Sequence, residues 1–169
     1  MADITRLIDS ALPAVNARLE HGPVANFAKA CKDDNPIYQS ELAAKEAGFA
    51  GIPLPPTFPF VVQSWGAFPD IQPEQDPSVG DIGAVIGELM AGGGLILHGE
   101  QEFVYHRTVV VGDTLHGTGR IADITTKEGS GGAKMTVVKA ETEYRNDAGE
   151  LAVTLTMSLI HRSKAPTAN

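Results

Sequence analysis

Apolar residues fall at helical intervals in the first part of the chain and alternate with polar ones in the last part. Ile4, Leu7, Ile8 and Ala11 stand at helical spacing and Pro13 closes the run, which predicts a helix over residues 3–11. Gly22 and Pro23 reset the chain. Val24, Phe27, Ala28 and Cys31 then recur at i, i+3, i+4 and i+7, one stripe of a second short helix, and this stripe assigns Cys31 to the core. Lys32 to Tyr38 is polar and ends that helix before Pro36. Ser40 suits the N-cap of a third helix, Glu41 to Ala47, stopped by Gly48. Pro53, Pro55, Pro56 and Pro59 stiffen the approach to a fourth segment. Thr57 is its expected cap and Pro59 falls in its first turn. Phe58, Phe60, Val61, Val62 and Trp65 are apolar almost all round, the mark of a buried helix.

Residues 66–94 read as an irregular surface excursion, broken by Pro69, Pro73 and Pro77, with a short strand over Ala84 to Met90 and a flexible joint at Gly92, Gly93 and Gly94. Strands follow. Leu95 to Val111 reads as one or two, with Phe103, Tyr105, Val109 and Val111 on one face. Thr114 to Thr126 and Met135 to Tyr144 are the next two, joined by the Gly-rich loop Lys127 to Gly132. Asn146 to Gly149 is a turn. In the last strand Leu151, Val153, Leu155, Met157 and Leu159 alternate with Ala152, Thr154, Thr156 and Ser158. Helices first and hairpin-linked strands last predict an α+β fold, an antiparallel sheet wrapped around one apolar helix. The expected layout is a single domain over residues 1–169, with an N-terminal extension at 1–22 and a frayed tail at 163–169.

Composition narrows the classes. The 169 residues carry 43% hydrophobic side chains, enough for a real core. A net charge of -8 argues against nucleic-acid binding, which needs clustered Lys and Arg. A single cysteine provides neither a disulfide framework nor a cysteine zinc site. The acidic residues of MADITRLIDSALPAV make it a poor signal peptide, and no window approaches the roughly 18 apolar residues of a membrane span. A cytoplasmic location is the expectation.

The polar cluster Asp33, Asp34, Asn35 and Tyr38 lies between one helix and the buried segment. Two neighbouring carboxylates suit an acid/base site, and the same residues equally suit a solvated, self-capping turn. His98 and His106 end the segment HGEQEFVYH, which is expected near a subunit interface, and are candidate substrate-binding or interface residues; His21, His116 and His161 read as solvated. No histidine pair has i, i+4 ligand spacing, so no metal site is expected. Arg107 and Arg120 fit either phosphate contacts or an ordinary charged strand face.

Lys32-Asp33-Asp34-Asn35-Pro36-Ile37-Tyr38 resembles the motif G-D-x-N-P-L-H of the MaoC-like hotdog-fold (R)-specific enoyl-thioester hydratases and dehydratases. ELAAKEAGF resembles that family's Ala-rich helix, GIPLPPTFPFVVQSW the start of its central helix, and LHGEQEFVYHRTVVVGDTL the strand before its G-D turn. The resemblance covers about residues 24–161 and is nearest to the N-terminal type of MaoC domain, found as the non-catalytic half of two-hotdog proteins and as a partner subunit in mycobacterial dehydratase heterodimers. It implies a hotdog fold, a 2-enoyl or 3-hydroxyacyl thioester of CoA or acyl carrier protein as ligand, and a homodimer or heterodimer with a second hotdog. No prosthetic group is implied.

In that family the motif Asp and His activate water, and a backbone N–H at the start of the central helix polarises the thioester carbonyl. Carried over, the Asp falls on Asp33, the turn-holding Asn on Asn35, the His on Tyr38 and the N–H donor, normally on glycine, on Pro56. Tyrosine, with an ordinary pKa of about 10, is a poor general base at neutral pH. Proline has no N–H to donate, and Thr57 stands one residue along. Three functions follow. The chain is an accessory subunit lining the acyl tunnel, with Phe58, Phe60, Trp65, Tyr38 and Phe103 as candidates for tunnel or core and Thr57 as a candidate substrate contact. Or it is a competent homodimer using Asp33 with Tyr38, His98 or His106. Or it is a non-enzymatic acyl-thioester binding module. A hotdog thioesterase usually carries a carboxylate on the central helix, and Thr57 to Trp65 contains none.

Overall fold

The computed structural model describes residues 3–129 and 132–164. Its sheet has five strands: β1 (Ala11–Arg18), β2 (Leu95–Tyr105), β3 (Thr114–Glu128), β4 (Lys134–Arg145) and β5 (Leu151–Arg162). Every neighbouring pair is antiparallel, in the spatial order β1-β3-β4-β5-β2. Among the described residues four α-helices accompany it: α1 (His21–Ala30), α2 (Glu41–Glu46), α3 (Val62–Trp65) and α4 (Ile82–Met90). This is the α+β arrangement that the chain pattern predicts. β4 and β5 are joined by Asn146–Gly149, where Gly149 takes φ +78° and its N–H reaches the Asn146 carbonyl at 2.8 Å. The loop predicted between β3 and β4 includes residues 130 and 131, outside the described residues, as are 165–169 of the tail. Ser163 is not frayed: its N–H donates to the Lys134 carbonyl and its Oγ accepts from the Lys134 N–H.

Four local expectations change. The helix predicted at 3–11 is one 3-10 turn, Ile4–Leu7, after which the chain enters β1. Pro13 is compatible with a strand here because β1 lies at the sheet edge, paired with β3 alone, and its register slips between Leu12 and Val15. Cys31 is exposed, because α1 ends at Ala30 before the stripe is complete; Val24 and Ala28 carry its buried face. The apolar segment from Thr57 is not one long buried helix but a 3-10 turn, Phe58–Phe60, followed by the single turn α3, and the Thr57 side chain makes no capping bond. Phe58 and Val62 are fully buried, whereas Phe60 and Trp65 remain 49% and 40% exposed. The sheet covers one side of this segment and leaves its other apolar side open. Finally, Ala84–Met90 is helical. Asp81 caps α4 by accepting from the Ala84 N–H at 2.8 Å, and Val85 and Leu89 turn inward four residues apart.

The core is divided. One cluster, with Phe58, Val62, Leu115, Tyr144 and Val153, lies beneath the Phe58–Trp65 segment. The other, with Val85, Leu89, Ile121, Val138 and Leu159, lies beneath α4. Arg6 forks onto both carboxylate oxygens of Glu88 at 2.7 Å, joining the N-terminal turn to α4. Both clusters use the same face of β4, whose inward positions Thr136, Val138, Ala140, Thr142 and Tyr144 alternate with more exposed ones.

Candidate functional site

The motif loop is built by backbone strain and side-chain capping. Lys32 takes φ +58° and the Asp33 N–H returns to the Ala28 carbonyl at 2.9 Å, which closes α1 and reverses the chain. The Asp33 carboxylate then accepts from the Asn35 N–H at 3.1 Å, and the Asn35 side chain accepts from the Ile37 N–H at 3.2 Å. These consecutive Asx turns launch the 3-10 turn Pro36–Tyr38. Its last residue, Tyr38, is buried at 7% exposure.

Tyr38 forms part of a cleft of about 480 Å³ with Phe49, Pro56, Tyr105, His106 and Val109. The Tyr105 hydroxyl donates to the Pro56 carbonyl at 3.1 Å. Burial raises the pKa of Tyr38, with a further push from the Asp33 carboxylate. Burial drives Tyr105 well above the ordinary tyrosine range, and neighbouring Tyr38 adds to it. The Tyr105 ring is 39% exposed, but its hydroxyl end is turned into the protein against Pro56. Both phenols therefore stay protonated at neutral pH, able to donate a hydrogen bond and unable to act as bases. His106 Nε2 pairs with the Thr154 hydroxyl at 3.0 Å.

A second cavity, about 520 Å³, lies between the two core clusters, on the inner face of the sheet. Three cross-strand rows explain it. Gln101, Met157, Ala140 and Ile121 form the first; Phe103, Leu155, Thr142, Gly119 and Leu12 the second; Tyr105, Val153, Tyr144, Gly117 and Val15 the third. Small residues at Ala140, Thr142 and Gly119 leave the middle unfilled. Gln63 Nε2 donates to the Tyr144 hydroxyl at 3.3 Å on the cavity wall. Gln101 Nε2 donates to the Thr156 carbonyl at 3.1 Å, while its buried Oε1 has no partner among the described residues. An orphaned acceptor of this kind costs about 1–3 kcal/mol.

The fold thus brings Tyr38, Pro56 and His106 to one cleft, while Asp33 and Asn35 stay in the loop that leads to it, their side chains engaged in its turns. His98 lies apart from it, stacked edge-on against Phe60 with ring centroids 5.4 Å apart, and Phe60 lines the second cavity. Phe58 belongs to the core, against Phe27 and Trp65. Thr57 is exposed, and among the described residues its N–H forms no hydrogen bond. Arg107 is paired with Glu150, and Arg120 with Asp9 and Glu141. Tyr105, Gln101 and Tyr144 are the residues that linear reading passes over as sites. Their signal was polar atoms at inward strand positions. Among the described residues no cluster of three or more His, Cys, Asp or Glu is arranged to hold a metal, and no helix is long and apolar enough to cross a membrane.

The family model for the FAS1-like dehydratase domain region matches residues 8–155. The UPF0336 protein of Thermobifida fusca is 34% identical over 144 residues, covering 85% of this chain and 83% of the relative. Among solved structures, a chain of the ChsH1–ChsH2 complex from Mycobacterium tuberculosis superposes with a TM-score of 0.71 at 20% identity, over 98% of this chain and 89% of that one. A chain of the (3R)-hydroxyacyl-ACP dehydratase complex HadBC, from the same organism, gives 0.63 at 22% identity, over 91% and 96%. A MaoC-like dehydratase gives 0.68 at 20% identity, over 94% of this chain and 43% of the other. The chain belongs to the FAS1-like dehydratase-region family, and its fold is the MaoC-type hotdog.

Proposed function

We propose that this chain is an accessory hotdog subunit of an enoyl-thioester hydratase or dehydratase, completed by a second hotdog that carries the catalytic histidine. The observation that carries the reading is the Tyr38–Tyr105–Pro56 cleft. Where the motif calls for a base stands a buried phenol held protonated, and where it calls for an N–H donor stands a proline whose carbonyl is already bound by Tyr105. Asp33 remains, occupied with the turn. The ChsH1–ChsH2 and HadBC structures are complexes, which supports a paired arrangement. The pairing surface is β2, which is hydrogen-bonded to β5 on one side and exposes Leu95, Leu97 and Val104. The substrate is a 2-enoyl or 3-hydroxyacyl thioester in the cytoplasm. Adding water across it asks for acid/base groups and an oxyanion donor, so the proposal calls on no prosthetic group.

Crotonyl-CoA hydration by the purified chain, alone and with a His-bearing hotdog partner, tests this. Turnover only with the partner supports the accessory role. Turnover by the chain alone supports a second reading, a competent homodimer in which the unpartnered Thr57 N–H replaces the missing donor. Thioester binding without turnover in either setting makes the chain a binding module.

A further inference from the structure

We propose that His116 is a proton-operated latch that holds residues 66–75 against the outer edge of β1. No strand lies beside that edge, yet its backbone is not left open. The Arg18 N–H donates to the Gly66 carbonyl at 2.8 Å, and the Asn16 N–H to Gln72 Oε1 at 3.1 Å. Gln72 Nε2 donates to the Asn16 carbonyl at 2.8 Å, and Gln75 Nε2 to the Ala14 carbonyl at 2.9 Å. Side-chain amides thus take the place of a neighbouring strand. Gln75 also lines the cavity between the two core clusters, so the seating of this segment sets one of its walls.

The latch is a chain of three side-chain hydrogen bonds. Asn16 Nδ2 donates to the Ile71 carbonyl at 2.6 Å, which turns Asn16 Oδ1 toward His116 Nδ1, 2.8 Å away. His116 Nε2 lies 2.8 Å from Oδ1 of Asp147, in the β4–β5 turn. The chain therefore ends in an acceptor on both sides, the Ile71 carbonyl and the Asp147 carboxylate. A neutral imidazole offers one donor and the Asn16 amide one more, so two donors must serve three bonds. Turning the amide over only moves the fault, because it sets Oδ1 against the Ile71 carbonyl. The imidazolium donates from both nitrogens and completes all three. Low pH seats the segment, and loss of the proton breaks one link. Histidine ordinarily changes charge between pH about 5 and 8. Of the other charged groups on the surrounding elements, Arg145 is turned to Glu143 and to the Gly149 carbonyl, and Glu150 to Arg107. Among the described residues Arg18, Asp70 and Glu74 make no bond to the ring.

The amides of Asn16 and Arg18 donate to this segment, so their hydrogen exchange reads the latch. Corrected for the intrinsic effect of pH, their protection should fall about fivefold from pH about 5.5 to about 8, the equivalent of one net hydrogen bond. Asp147→Asn supplies an amide that accepts from the charged ring and donates to the neutral one, so protection should stay high at both pH values. His116→Ala should leave it low at both. Equal protection of the wild-type chain at the two pH values overturns the latch. So does a pH response that persists in Asp147→Asn or in His116→Ala, which would belong to another group.

Discussion

Gly117 and Tyr144 are directly opposed across the β3–β4 ladder, and the Tyr144 ring occupies the space that a side chain at Gly117 would need. A Cβ there would lie 2.7 Å from Tyr144 Cε1 and 2.9 Å from Val15 Cγ1. The absence of a side chain at this position lets a large aromatic residue lie over the sheet and carry its hydroxyl to the cavity wall. Gly117→Ala should therefore destabilise the chain by about 1–3 kcal/mol, through displacement of a fully buried ring. Urea denaturation measures it, and an unchanged midpoint would mean that the ring has another place to go.

Substitutions in the motif loop separate the two catalytic readings. In the accessory role, Asp33→Asn and Tyr38→Phe change turnover of the paired complex by less than about threefold, since neither residue moves a proton. In a self-sufficient homodimer, each should cost on the order of a hundredfold or more. Steady-state hydration rates at neutral pH decide between them.

All three tyrosines, Tyr38, Tyr105 and Tyr144, have pKa values raised above the ordinary value, in each case chiefly by burial. A native state that holds its phenolic protons more tightly than the unfolded chain is at full advantage below pH about 10. As pH rises beyond that point the unfolded chain ionises first, and stability falls until the native phenols also ionise. Spectrophotometric titration should show little tyrosinate in the native chain where the urea-unfolded chain is half ionised. Tyr105→Phe should flatten the alkaline loss of stability.

The β2 edge is open to a direct test. Leu97→Glu places a charge among the exposed apolar residues of that strand without touching either core cluster. Self-association or partner binding should weaken by at least about tenfold, read by analytical ultracentrifugation, with the far-ultraviolet circular dichroism spectrum unchanged. Unaltered association would move the interface elsewhere.

Asp81 is the only side-chain cap on α4 among the described residues. Asp81→Ala should lower stability by about 1 kcal/mol. The loss should be visible as faster amide exchange in Val85 and Leu89 before global unfolding.

What could be read from the chain, and what could not, follows from the range of the forces involved. β5 was legible because its inward residues are apolar and many of its outward ones are hydroxylic. The Ser40 cap was legible because it is local: the Ser40 hydroxyl accepts from the Ala43 N–H, three residues away. The continuous apolar run of α4 reads as a strand, although Asp81 followed by Ile82, Val85, Ile86 and Leu89 carries the helical signature. β1 escapes the pattern because Pro13 disqualifies a strand except at a sheet edge, and edge position belongs to the topology. The motif loop could be placed from its residue order, but the meeting of Tyr38 with Tyr105 and Pro56 is a long-range contact. The second cavity was the least legible feature. Gly119, Ala140 and Thr142 are unremarkable in sequence and become one void only when register sets them side by side.

The divided core has a mechanical consequence. Two apolar clusters that share one sheet but lie on either side of an open cleft can loosen in separate steps, the one beneath α4 and the one beneath the Phe58–Trp65 segment. A molecule seated between them would tie the two openings together.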